Sequence, residues 1–177
     1  MQNRKLRVGV VTTFPPGRGS LNEYAFHFVR ALEKKQEVAE VILFVDELPA
    51  GEQYKANPVD VQPGVLTNGN GTDHASAPLR FIPCWQFNSS LNSWRILRAA
   101  QQNKPDVVIF NIQFASFGDR KIPAALGLMA PALLRLCGVP TVALLHNIME
   151  TVDLKSAGFA KSALLERLIR LIGWVIT

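Results

Sequence analysis

The chain has only two cysteines, Cys84 and Cys137, and they do not stand at metal-binding or redox-motif spacing. That excludes a cysteine-rich zinc site and a Cys-x-x-Cys redox centre. Both lie in apolar stretches, which predicts buried thiols in a reducing compartment. Charged residues are also sparse, at 19% against 48% hydrophobic, a balance that excludes a disordered chain. Arg4, Lys5 and Arg7 are followed by an apolar run too short for a signal peptide, and that run reads as a strand. A cytoplasmic protein is the resulting expectation. The apolar stretch Ile122–Leu145 is interrupted by Arg135 and punctuated by Pro131, Gly138 and Pro140, so it reads as a buried helix and strand rather than a membrane span.

What is present suits one domain with a substantial core: 177 residues carrying a net charge of +5. The sequence pI of about 9.5 favours anionic partners such as nucleotides, sugar phosphates or an acidic membrane surface. Much of the acid lies between Asp46 and Asp73, which leaves the remainder more basic than the average.

The stretch Leu6–Lys35 organises the rest. An apolar strand, Leu6–Thr13, breaks at Phe14-Pro15-Pro16 and runs through Gly17-Arg18-Gly19-Ser20 into an amphipathic helix. Ser20 and Glu23 stand in capping-box spacing, which starts the helix there. Leu21, Ala25, Phe28, Val29 and Leu32 share one face at helical period. A strand, a glycine loop and a helix N-terminus form an anion site through free N–H groups and the helix dipole. The loop is not a P-loop, because no Lys-Ser or Lys-Thr follows at the required spacing. As a dinucleotide fingerprint it lacks the third glycine, where Asn22 stands. A tight turn that needs glycine is the other reading.

The next apolar run, Val41–Val45, has the continuous branched character of a strand buried on both faces. Asp46 at its end is either a ribose ligand, as in NAD proteins, or a solvated loop residue. Residues 46–78 form a loop-rich insert, with four prolines and the run Asn68–Thr72; His74 lies there with no partner in spacing. Leu79–Trp85 reads as a strand, Ser89–Asn103 as a helix and Asp106–Ile112 as a strand. Ile122–Cys137 reads as a helix divided or kinked at Pro131, and Thr141–Leu145 as a strand ending in His146-Asn147. This alternation predicts an α/β fold with a doubly wound parallel sheet. Ligands bind such sheets at the carboxyl ends of the strands. Gly17–Ser20, Asn111–Phe117 and His146-Asn147 all fall at such ends. His27 reads as a surface or packing residue, and His146 from spacing alone as a core histidine or a ligand group.

The segment VGVVTTFPPGRGSLNEYAFHFVRAL resembles the opening of the family 4 retaining glycosyltransferases (glycosyl transferases group 1), which have the GT-B fold. Ser20 stands where members usually carry a second adjacent glycine. DVVIFNIQFASFG is similar to the family segment in which a strand delivers a Gln or His and then an aromatic-glycine pair. GVPTVALLHN resembles the strand that ends in histidine, and LLERLIRLIGWVIT the helix and strand after it. The match covers most of the chain outside the insert.

The resemblance implies a Rossmann-like, acceptor-side N-terminal domain over residues 1–177, with the nucleotide-sugar domain and its paired glutamates absent and the chain truncated after Thr177. It implies transfer of a sugar from a nucleotide-activated donor to a hydroxyl of a sugar, lipid-linked or other acceptor, with retention. His146 would support the reaction, and Gly17, Arg18, Gly19 and Ser20, with Gln113 and Asn147, would contact donor phosphate or acceptor. No metal or bound cofactor is implied, and no nucleic acid is expected as a partner. Ser162–Ile172 reads as a helix packed on the sheet, or as a peripheral contact with an anionic membrane at its inner face. Two other expectations are a non-catalytic subunit that pairs with a separate nucleotide-binding chain, and a small dinucleotide-binding domain using Gly17, Gly19 and Asp46.

Overall fold

The computed structural model describes residues 4–17, 20–54, 76–113 and 115–146, Ser20 by its backbone. Arg18, Gly19, His74, Asn147, Ser162–Ile172 and the final Trp174–Thr177 lie outside the described residues.

Five strands form one sheet: β1 (Leu6–Val11), β2 (Val38–Asp46), β3 (Leu79–Trp85), β4 (Val107–Gln113) and β5 (Thr141–His146). Every pairing is parallel, and the order across the sheet is β3-β2-β1-β4-β5. The chain therefore builds outward from β1 through β2 to β3, then returns to the other side of β1 for β4 and β5. Between β1 and β4 the winding reverses, and connections leave the two strands toward opposite faces. In doubly wound sheets such a reversal is where the ligand-binding crevice lies, at the carboxyl ends of the two strands.

Helix α1 (Ser20–Glu33) covers one face and α2 (Asn92–Asn103) the other, together with α3 (Lys121–Leu128) and α4 (Ala130–Leu136). The run VILFV shows why β2 sits inside. Val41, Leu43 and Val45 point to the α1 side, Ile42 and Phe44 to the α2 side, and all five are fully buried. Alternation with both faces apolar is the signature of a strand covered twice. Trp85, Phe110 and Phe117 fill the α2 side, with Trp85 edge-on to Phe117 at 5.2 Å between ring centroids. Each such burial contributes roughly 1.5–3 kcal/mol.

The doubly wound α/β architecture is the one predicted, and Leu79–Trp85 forms a strand over its full predicted span. Other bounds shift by a few residues. The first helix of the α2 side starts at Asn92 rather than Ser89, because the Asn92 side chain clamps the preceding loop: its Oδ1 accepts from Gln86 N at 3.1 Å and its Nδ2 donates to Gln86 O at 2.8 Å. The helix expected over Ile122–Cys137 is two helices divided at Met129, with Pro131 in the first turn of α4, where its missing N–H costs nothing. α4 ends in a Schellman motif: Gly138, at φ +80°, donates to Arg135 O, and Val139 donates to Leu134 O, each at 3.0 Å. Cys137 sits at that cap and is exposed, which corrects the expectation of a buried thiol. Cys84 is half-buried on β3, and burial pushes its thiol up to about 12. No described helix is long and apolar enough to cross a membrane.

The amino-terminal edge of the sheet is braced by charge. Glu40 on β2 accepts from Arg7 Nε on β1 and from Arg80 Nε on β3, both at 2.9 Å, so one carboxylate spans three strands. Burial alone would raise the Glu40 pKa. The two guanidinium bonds outweigh it and hold the carboxyl below its ordinary 4.5. A depressed carboxylate adds stability above its unfolded pKa and loses it as pH falls through the folded value. The Glu40→Gln variant should therefore unfold in urea with about 1 kcal/mol less stability at neutral pH. That difference should close as the pH is lowered below 4.5.

Candidate functional site

The site is built where β1, β4 and β5 end. β1 gives way to Thr12, which is fully buried and whose N–H bonds Phe44 O at 3.2 Å, the last link of the β1–β2 ladder. Phe14 then turns into the core against Phe26 and Phe81, with ring centroids 6.1 and 5.5 Å away. The chain doubles back through Pro15 and Pro16, and Gly17 N donates to Phe14 O at 3.2 Å. Gly17 has a packing reason to be glycine: a Cβ there would stand 2.8 Å from Asn22 Nδ2 and 3.2 Å from Phe14 O. Asn22, in the first turn of α1, is buried, and its Oδ1 has no hydrogen-bond partner among the described residues. The side chain that replaces the third glycine of a dinucleotide fingerprint thus occupies the turn itself.

On the same sheet face a chain of side-chain hydrogen bonds links the three strands. Register pairs Asn111 with Leu144 and Gln113 with His146, so the alternate residues Asn111 and Gln113 share a face with His146. His146 Nε2 lies 2.6 Å from Asn111 Oδ1. Asn111 Nδ2 donates to Thr12 Oγ1 at 3.0 Å, and Thr12 Oγ1 donates to Thr13 O at 2.9 Å. Asn111 and Thr12 are both fully buried, whereas His146 is half-exposed. The ring of Tyr24, from the second turn of α1, packs edge-on to the imidazole at 4.4 Å and stacks on Phe28 at 6.3 Å. Beside them Ser116 Oγ accepts from Gln113 N at 2.8 Å and closes the turn after β4.

Of the residues expected at the site, His146 and Gln113 are adjacent across β4 and β5. Gly17 joins them through α1, where Asn22 touches Gly17 and Tyr24 touches His146. Ser20 is the first residue of α1. Arg18, Gly19 and Asn147 are outside the described residues. Thr12, Tyr24 and Asn22 are not marked as site residues by the sequence, and Asn111 only as the first residue of the strand-end cluster Asn111–Phe117. The available signal was polarity in the wrong place: Asn111 interrupts the apolar run DVVIFNI at a position that alternation assigns to the buried sheet. Among the described residues no three His, Cys, Asp or Glu side chains gather as metal ligands.

The end of β2 is a separate region. A pocket of about 450 Å³ opens there, lined by Glu47, Glu52, Tyr54, Phe81 and Pro83 among others. Tyr54 stacks on Phe81 at 5.3 Å, and its hydroxyl lies 2.8 Å from Asp46 O and 2.9 Å from Asp46 Oδ1. Burial raises the Asp46 pKa above 3.8, and the Tyr54 bond offsets this only in part. The folded state therefore holds the Asp46 proton more tightly than the unfolded chain does. The stability that results is complete below 3.8 and is lost as pH rises through the folded pKa. In urea titrations the Asp46→Asn variant should gain on the native chain as pH rises from about 4 to 7.

No protein-family model matches this chain, and comparison with curated proteins finds no relative.

Proposed function

We propose that this domain is the acceptor-side half of a retaining glycosyltransferase, which moves a sugar from a nucleotide-activated donor to an acceptor hydroxyl. The observation that carries the reading is the convergence at the β1–β4 crevice. A half-exposed imidazole, an aromatic ring, the amide of Asn111 and the glycine turn all meet where a doubly wound sheet binds its ligands. Tyr24 offers the flat apolar surface that a sugar ring uses. Asn22 Oδ1, buried and without a partner among the described residues, is an acceptor suited to a ligand hydroxyl. His146 meets the transferred sugar or the charge developing on the leaving phosphate, and either an imidazole or an imidazolium serves there. The donor is a nucleotide-sugar used as substrate, and the acceptor a hydroxyl of a free or lipid-linked sugar.

The dinucleotide alternative is weaker on a specific ground. The Asp46 carboxylate that would hold a ribose is half-buried and already accepts the Tyr54 hydroxyl.

Titration with methyl glycosides, UDP-glucose and NADH separates the readings, followed by NMR at the rings of Tyr24 and His146. Glycosides should shift both rings, and the His146→Ala variant should lose the response at Tyr24. In the protein that carries this domain, that variant should slow transfer about a hundredfold. Saturable NADH binding with no response to any sugar would overturn the proposal.

A further inference from the structure

The hydrogen-bond chain at the crevice has a direction, and the direction fixes the protonation of His146. Its far end is a backbone carbonyl, Thr13 O, which can only accept. The single hydroxyl proton of Thr12 is spent on that carbonyl, so Thr12 Oγ1 must accept from Asn111. The amide of Asn111 is thereby oriented, with Nδ2 toward Thr12 at 3.0 Å and Oδ1 toward His146. An amide oxygen can only accept, so the contact of 2.6 Å needs a proton on Nε2. In the neutral ring the lone pair is then on Nδ1.

We infer that Thr12 and Asn111 are positioning residues that hold His146 as the Nε2–H tautomer, so that Nδ1 accepts a hydrogen bond from a ligand hydroxyl. Both residues are fully buried, so water does not compete for their donors and acceptors. Tyr24 packs against the ring, with centroids 4.4 Å apart, and limits its rotation. The tautomer and the ring orientation are thus set before any ligand arrives. That is the arrangement a site needs in order to receive a hydroxyl proton in one direction only. The choice of a sugar hydroxyl as the ligand rests on the function proposed above; the tautomer does not.

The test is NMR of the imidazole nitrogens in histidine-labelled protein, at a pH where the ring is neutral. The chain has three histidines, and the His146→Gln variant assigns the signal. The native protein should show Nε2–H in at least about tenfold excess, as expected when the other tautomer leaves a buried amide oxygen unpaired. Thr12→Val removes the acceptor that orients the amide. Asn111 is then free to turn and donate to Nε2, so the excess should collapse and Nδ1–H should appear. Thr12→Ser keeps the hydroxyl and should restore the native ratio. Asn111→Asp, whose carboxylate can only accept, should also keep Nε2–H, and it carries the test if Thr12→Val fails to fold. A native ring found mainly as Nδ1–H would overturn the inference. So would a folded Thr12→Val protein with an unchanged tautomer ratio, or Asn111→Asp with Nδ1–H dominant. Added methyl glycoside should move the Nδ1 resonance. An Nδ1 that stays silent to sugars while Nε2–H is intact would overturn the sugar reading and leave the positioning role standing.

Discussion

The structure depends on one constraint: β1 must be buried on both faces and paired on both edges. β2 and β4 flank it, and Val10 and Val11 are fully buried on its opposite faces. A strand in that position has no exposed backbone, so its chemistry is confined to its ends. The amino end is closed by the charges of Arg7, Glu40 and Arg80. The carboxyl end is where the winding reverses, and the chain there must leave the sheet through Thr12 and the Phe14–Gly17 turn. Everything proposed about function follows from what three strands and one helix deliver to that end.

Thr12 and Asn111 are costly residues to place there. Burying a hydroxyl and an amide away from water is unfavourable unless each polar atom is paired, and apolar side chains of similar shape would give a comparable fold at less risk. The chain through Thr13 O, Thr12, Asn111 and His146 satisfies these groups, but it ends on a half-exposed imidazole rather than closing on itself. The Glu40 cluster at the opposite edge differs in kind. It closes on itself between three strands, and it presents no group of intermediate acidity to a crevice. One polar cluster braces the sheet, and the other is directed outward.

The fold was largely legible in the sequence because its strongest signals are apolar. VILFV can only be comfortable with both faces covered, and the Gly138-Val139-Pro140 turn stops a helix and starts a strand in three residues. The misplaced boundaries share a cause, which is that side-chain clamps outweigh local propensity. Asn92 delays α2 by holding Gln86, and Asn88, at φ +64°, accepts from the N–H groups of Asp119 and Arg120 just ahead of α3. The Asn88 bonds join residues 31 and 32 positions apart, and neither clamp leaves a trace in periodicity. The site was legible in outline only. His146 and Gln113 are visible as polar residues at strand ends, but the partner that orients His146 is 35 positions away on another strand. From sequence Gly17 reads as part of an anion-binding loop. The same glycine is required by Asn22, a contact that exists only once α1 packs against the turn.

On the proposed function the Thr12–Asn111–His146 chain serves a ligand and not the fold. Urea denaturation of Asn111→Leu tests it most directly. Leucine fills similar volume and removes the buried amide, while Thr12 keeps its bond to Thr13 O. The expected result is a variant within about 1 kcal/mol of the native chain, or more stable than it, because the amide is a burden the fold does not need. A loss of about 3 kcal/mol or more would contradict it and would make the chain a structural brace.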